Sequence, residues 1–132
     1  MKKIILCIAA FIMLISLAGC ADDNAPAEYV SISAAEAKAL MDSETGYIIL
    51  DVRTENEFAQ GHIPHAILIP DYDIESRAEE ELPDKKQLIL VYCRSGRRSK
   101  NAAAKLAEMG YSNVKEFGGI IDWGYETAAE QE

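Results

Sequence analysis

The residues with the clearest chemical potential follow an apolar run near the middle of the chain. Cys93 comes directly after residues 88–92 and begins the segment Cys-Arg-Ser-Gly-Arg-Arg, which leads into a predicted helix near Ser99. Several backbone N–H groups and a helix N-terminus can therefore converge on one point, where they favour an anion. The amides, the helix dipole and the arginines would stabilise a thiolate there, so the spacing predicts a nucleophilic cysteine.

The alternative interpretation of Cys93 is a small, inert core residue, which is the usual role of a free cysteine. The three arginines and the helix start that follow Cys93 argue against that role. Gly96 would let the loop turn tightly without a Cβ penalty.

The charge distribution also favours an anion site. The chain has 132 residues, which suit one small domain, with 22 acidic and 13 basic side chains and a formal net charge of −9. Such an acidic balance argues against nucleic acid as a partner.

Seven bases and no acid lie between Asp84 and Glu108: Lys85, Lys86, Arg94, Arg97, Arg98, Lys100 and Lys105. This local cluster predicts anion recruitment by the loop arginines, whereas Lys85, Lys86 and Lys105 are expected to be solvated surface charges.

The three cysteines exclude a disulfide framework. Cys7 lies in an apolar N-terminal segment and Cys20 at its boundary, which leaves Cys93 as the single thiol of the predicted folded part. Neither an internal disulfide nor a zinc cluster is therefore expected, and the sequence predicts no metal and no cofactor.

The N-terminal segment is interpreted as a targeting signal. Lys2 and Lys3 precede residues 4–18, an apolar run with one polar residue, Ser16, that is too short to span a bilayer comfortably. The following Leu-Ala-Gly-Cys resembles the bacterial lipobox, which implies a lipidated Cys20 and a protein anchored to a membrane on the extracytoplasmic side of the bacterial envelope. The alternatives are an ordinary signal peptide with a chance cysteine, or an uncleaved anchor. We predict a signal peptide at 1–19, a lipidated N-terminus and flexible tether at 20–28, and a domain at 29–132.

Strand-like and helix-like segments alternate through the rest of the chain. The predicted strands are 29–32, 47–50, 66–69, 88–92 and 114–117, and the predicted helices are 33–41, 54–60, 73–81, 99–109 and 121–129. Ser33 with Glu36 and Thr54 with Glu57 form predicted capping boxes. The alternation predicts an α/β fold, a mostly parallel central sheet of about five strands with helices on both faces. Cys93 would then lie at the carboxyl end of a strand, where such sheets bind ligands.

Four motifs in order resemble the single-domain rhodaneses, which are homologues of thiosulfate sulfurtransferase. They are Leu-Asp-Val-Arg at 50–53, Glu-Phe at 57–58 with Gly-His-Ile-Pro at 61–64 and Ala66, the segment 91–99 with Ala102 and Ala103, and Gly-Gly at 118–119 with Trp123. The resemblance covers nearly all of residues 29–127. It implies a rhodanese-like fold and a sulfurtransferase activity.

The resemblance also implies roles for individual residues. Cys93 would carry a persulfide, and the amides of the following six residues would cradle its outer sulfur: Arg94, Ser95, Gly96, Arg97, Arg98 and Ser99. Asp51 and Arg53 match the family's buried polar pair near the site, and we expect them to support it, with a purely structural role as the open alternative.

The two histidines are not expected to be catalytic, because both lie in a loop beside Pro64 and the family works without a histidine base. His65 departs from the family, which usually has glycine at that position, and this puts the local turn in question. Trp123 is expected to pack against the last helix rather than stack on a ligand.

The length of the loop indicates which anion it fits. Phosphatases and arsenate reductases of a related fold separate their cysteine and arginine by five residues, whereas Arg98 comes one residue too early for that spacing. The loop should therefore fit a single sulfur atom. We expect Cys93 to take sulfur from a small sulfur-containing anion such as thiosulfate and to pass it to a thiol or protein acceptor. The alternative functions are a protein-binding module without turnover and a sulfur or redox sensor at the cell envelope.

Overall fold

The computed structural model describes residues 27–129, and the predicted signal peptide, Cys20 and most of the predicted tether lie outside this range. Five parallel strands form one sheet in the order β1-β5-β4-β2-β3. They are β1 (Val30–Ser31), β2 (Ile48–Asp51), β3 (Ile67–Leu68), β4 (Ile89–Cys93) and β5 (Val114–Gly119). The predicted α/β fold with about five parallel strands is confirmed.

Four α-helices connect the strands. They are α1 (Ala34–Ser43), α2 (Glu55–Gln60), α3 (Ile74–Glu81) and α4 (Arg97–Glu108), with short 3₁₀ turns at Asp71–Asp73 and Ile120–Asp122. Both predicted capping boxes are present: Ser33 caps α1 with Glu36, and Thr54 caps α2 with Glu57. Each box satisfies two N–H groups at the start of a helix and so fixes where that helix begins.

The central strand β4 explains how the site is held. All five of its residues are buried, because helices cover both faces of the sheet. Val91 packs with residues of α3 and α4 on one face, whereas Leu90 and Tyr92 pack with Ala37 of α1 on the other. Cys93 thus ends a strand that is fixed from both sides.

The predicted helix over 121–129 is wrong. After the 3₁₀ turn Ile120–Asp122 the chain is irregular and returns to the loop that follows α2. Ala128 N–H donates to His62 O at 2.8 Å, and His62 N–H donates to Ala128 O at 2.7 Å. This distant pairing satisfies backbone groups that a helix would have satisfied locally, and Gly124 weakens the helical alternative.

His65 adopts a backbone φ of 68°, the left-handed conformation that glycine accepts most readily. It is the one residue other than glycine with a positive φ among residues 27–129. The backbone at position 65 therefore has a conformation that glycine would adopt easily, although the residue there is a histidine.

No helix within residues 27–129 is long and apolar enough to cross a membrane.

Candidate active site

Cys93 lies at the carboxyl end of β4 with 1% of its surface exposed. The N–H of Gly96 donates to Cys93 Sγ at 3.0 Å, and Ser99 Oγ lies 3.4 Å from the same sulfur. Of the six residues predicted to cradle the sulfur, Gly96 and Ser99 are in direct contact with it. An amide donor at this distance favours negative charge on the sulfur.

The loop turns sharply because Gly96 has a φ of 106°, a conformation that L side chains rarely adopt. Gly96 is also the N-cap residue of α4 and supplies no side chain to cap the helix. The first N–H groups of a helix have no acceptor within the helix itself. The start of α4 therefore leaves donors free for a bound anion beside Cys93.

Strand β5 supports the loop from below through an irregularity in its pairing with β4. Val91 pairs with Glu116, but Cys93 pairs with Gly119, so β5 contains one extra residue. A Cβ on Gly119 would overlap the backbone of Arg94, and Ile121 N–H donates to Arg94 O at 3.2 Å. Because Gly119 has no side chain, the backbone of Arg94 can approach β5 closely at this point.

The three loop arginines differ in their environments. Arg94 and Arg97 are exposed, and within residues 27–129 neither makes a salt bridge. In Arg98, Nη1 lies 2.7 Å from Glu57 Oε1 and Nη2 lies 2.9 Å from Oε2. This two-point contact with Arg98 lowers the pKa of Glu57 to about 2. Arg94 and Arg97 are thus available to a ligand, whereas Arg98 holds α4 to α2.

Asp51 and Arg53 form a buried ion pair, with 2.7 Å between Arg53 Nη2 and Asp51 Oδ2. Arg53 also donates to Gly61 O at 2.7 Å and lies over the ring of Tyr92, 5.7 Å from its centroid. Burial, followed by the charge of Asp51, raises the pKa of the Tyr92 hydroxyl, which accepts a hydrogen bond from Ile63 N–H. The pair therefore ties the end of β2 to the loop after α2.

A pocket of about 430 Å³ opens at this edge of the sheet, and its lining includes Arg53, Glu57, Arg94 and Ile121. The residues that line the pocket come from segments near the ends of several elements, as expected for the carboxyl edge of a parallel sheet. Arg53 is one of these residues, so one member of the buried ion pair faces the same pocket as Arg94 of the loop.

Neither histidine of residues 27–129 makes a hydrogen bond to Cys93. The ring of His62 stacks on Phe58 at 3.7 Å between centroids, and its Nδ1 lies 2.8 Å from Phe58 O. The predicted last helix, which Trp123 was expected to pack against, does not form; Trp123 instead contacts Phe117, 5.6 Å between ring centroids, in a cluster that includes Ala37 of α1. Within the described part of the chain, no three His, Cys, Asp or Glu side chains are placed to hold a metal ion.

The sequence analysis missed Glu116, which is 2% exposed and is linked to Cys93 through Ser99. Its Oε1 accepts a hydrogen bond from Ser99 Oγ at 2.8 Å. A signal for it was present in the sequence. Glu116 lies two residues after Val114 in a short strand, so both side chains lie on the same face, and a carboxylate is unusual on a face that packs into the core.

A buried cysteine at the end of a central parallel strand, beside the start of a helix without a side-chain cap, defines an α/β protein with a candidate anion site at a thiol. Comparison with known proteins identifies the family of this α/β protein. Residues 33–126 match the rhodanese-like domain, and the chain belongs to that family.

Several relatives in this family are named as sulfurtransferases. The chain is 36% identical over 100 residues to the putative sulfurtransferase YtwF of Bacillus subtilis, covering 76% of this chain and 95% of that protein. It is 40% identical over 73 residues to the thiosulfate sulfurtransferase PspE of Escherichia coli, covering 55% of this chain and 70% of that one. The relatives support a sulfurtransferase-type enzyme.

Solved structures of the family share the fold. The rhodanese-like domain protein from Staphylococcus aureus matches with a TM-score of 0.66 and 31% identity, covering 77% of this chain and 99% of that chain. A rhodanese with anions from E. coli matches with a TM-score of 0.60 and 34% identity, covering 64% and 99%.

Proposed function

We propose that the protein transfers a sulfane sulfur from thiosulfate, or a similar small anion, to a thiol or other nucleophilic acceptor through a persulfide on Cys93. The observation that carries this proposal is the hydrogen bond from Gly96 N–H to Cys93 Sγ, made at the uncapped start of α4. It provides donors both for the thiolate and for the charge on a second sulfur.

The reaction takes place in two steps. In the first, the Cys93 thiolate attacks the outer sulfur of thiosulfate, the sulfur–sulfur bond of the donor breaks, and its electron pair leaves with sulfite. In the second, an acceptor thiolate attacks the outer sulfur of the persulfide, and the electron pair of the broken bond returns to Cys93. Covalent catalysis of this kind divides one difficult transfer into two easier ones.

The arginines supply long-range attraction and selectivity. Arg94 and Arg97 are exposed beside the loop and would recruit a dianion to an otherwise acidic protein. Arg98 is directed to Glu57 instead, so it does not widen the anion cradle. This arrangement supports a cradle that takes one sulfur atom rather than a phosphate group.

Acceptor-dependent release of sulfite from thiosulfate by the full-length protein, purified in detergent, tests the proposal. Mass spectrometry of the same protein should show a gain of one sulfur atom after thiosulfate treatment, located on Cys93. The matched control is Cys93→Ser, which should show neither. Persulfide formation without turnover on any acceptor would favour the sensing or binding function, and no persulfide at all would overturn the proposal.

We also propose that the protein is anchored to a membrane of the bacterial envelope by a lipid on Cys20. The support is the sequence alone, in which an apolar run, small residues and cysteine follow each other in register. A single processed signal of this type would leave the catalytic domain outside the cytoplasm on a short polar tether.

A further inference from the structure

A buried carboxylate is linked to Cys93 through the hydroxyl of Ser99 and has no part in the two steps described above. Glu116 accepts three hydrogen bonds: from Ser31 Oγ at 2.9 Å, Ser99 Oγ at 2.8 Å and Gly118 N–H at 2.6 Å. Three donors suit an ionised carboxylate, which accepts and cannot donate. Burying such a charge costs more free energy than an apolar side chain of similar size would, so its presence calls for a reason.

The hydroxyl of Ser99 connects Glu116 to the reactive sulfur. This hydroxyl has one hydrogen and three oxygen acceptors in reach: Glu116 Oε1 at 2.8 Å, Gly96 O at 2.9 Å and Gly118 O at 3.3 Å. A charged acceptor forms the stronger bond, so the hydrogen goes to Glu116. Ser99 Oγ then presents lone pairs to Cys93 Sγ, 3.4 Å away. A thiol can donate to those lone pairs, but a thiolate is repelled by them.

We propose that Glu116, acting through Ser99, is a positioning residue that disfavours the Cys93 thiolate relative to the Cys93 persulfide. The inference rests on the proposed function, since it concerns the two states of that reaction. In the persulfide the inner sulfur is uncharged, and the negative charge lies on the outer sulfur, one bond of roughly 2 Å away. The charge is then farther from Glu116 and closer to the loop donors.

The consequence concerns how long the site holds its sulfur. When an acceptor attacks the outer sulfur, the sulfur–sulfur bond breaks and the electron pair returns to Cys93 as a thiolate. Glu116 makes that product less stable, so it slows discharge and favours retention of the sulfur. A proton-accepting role for Glu116 predicts the opposite sign, because a base that takes the thiol proton would promote the thiolate.

The test compares the rate at which iodoacetamide alkylates Cys93 in the full-length protein and in Glu116→Gln, at one neutral pH. Removing the carboxylate should raise the alkylation rate about threefold, because a larger thiolate fraction outweighs the weaker nucleophilicity of a more stable thiolate. Discharge of the preformed persulfide to cyanide should also accelerate several-fold. Ser31→Ala is the matched control, since it removes one hydrogen bond to Glu116 but keeps the charge, and its alkylation rate should equal that of the parent.

Glu116→Met provides a second variant without the charge, and circular dichroism checks the fold of each. Alkylation that is unchanged or slower in a folded variant would overturn the inference, and so would loss of the fold in both variants, which would make Glu116 a structural residue. Alkylation requires no sulfur donor. If the parent formed no persulfide from thiosulfate, the proposed function would fail while the alkylation rates still tested the effect of Glu116.

Discussion

The ion pair between Glu57 and Arg98 gives a prediction that can be calculated from the structure. Its two contacts lower the pKa of Glu57 from the ordinary 4.5 to about 2. At about 1.4 kcal/mol per pKa unit, that shift corresponds to roughly 3–4 kcal/mol before any screening by solvent. The two side chains are 29% and 27% exposed, so solvent screening reduces the contribution to about 1–2 kcal/mol of the free energy of unfolding.

The sign of the pH dependence follows from the direction of the shift. Because folding lowers the pKa of this carboxyl, the unfolded state binds the proton more readily. The stabilisation is therefore complete above the ordinary pKa of 4.5 and is lost as the pH falls from there towards 2. Glu57→Gln removes the charge and should be about 1–2 kcal/mol less stable than the parent at neutral pH, with the difference shrinking below pH 4.5.

Urea unfolding of the full-length parent and Glu57→Gln, measured at neutral pH and at several acidic values, tests this. The parent should lose stability relative to the variant as the pH falls. Arg98→Ala should cost a similar amount at neutral pH, because it breaks the same pair. A difference between parent and Glu57→Gln that stays constant through the acidic range would refute the reasoning, since the ion pair would then not be its source.

Four further outcomes are expected. Cys93→Ser should keep the fold, checked by circular dichroism, and lose sulfite release, because a hydroxyl is a far weaker nucleophile at neutral pH. Arg94→Ala and Arg97→Ala should each raise the KM for thiosulfate more than they lower kcat, with kcat/KM falling about 10- to 100-fold in steady-state assays at low salt; parental kinetics would contradict anion recruitment. Cys20→Ala should abolish labelling with a radioactive fatty acid and release the protein from membranes, whereas continued membrane partitioning would indicate an uncleaved anchor. Inserting one residue after Arg97 should widen the cradle and reduce sulfur transfer, and full activity in that variant would show that loop size does not matter.

Local features of the sequence predicted most of the fold. The continuous apolar run at 88–92 indicated a strand buried on both faces, and β4 is such a strand. Both capping boxes were visible because their partners lie three residues apart. The position of Cys93 followed from that strand, since a residue just after a central parallel strand lies at the edge where ligands bind.

The missed features depend on contacts between distant segments. The hydrogen bonds of Glu116 reach Ser31 and Ser99, 85 and 17 residues away in the sequence, and no local pattern specifies those partners. The helix predicted at 121–129 failed for a similar reason, since the partner of Ala128 is His62, far away in the sequence. Hydrophobic spacing describes which face of a segment is buried but not which distant backbone it pairs with.

The different roles of the three loop arginines also arise at a distance. Arg98 is fixed by Glu57, which is the residue that completes the capping box of α2 by accepting from Thr54 N–H. A side chain that defines where α2 begins therefore also fixes the start of α4, and with it the far end of the loop that follows Cys93. Because Arg98 is held there, the width of the cradle is set by the turn at Gly96 and not by a mobile guanidinium. The proposed effect of Glu116 and that of the exposed Arg94 and Arg97 then act in the same direction. The carboxylate repels negative charge from the inner sulfur, and the arginines attract it towards the outer sulfur, which is the distribution that a persulfide requires.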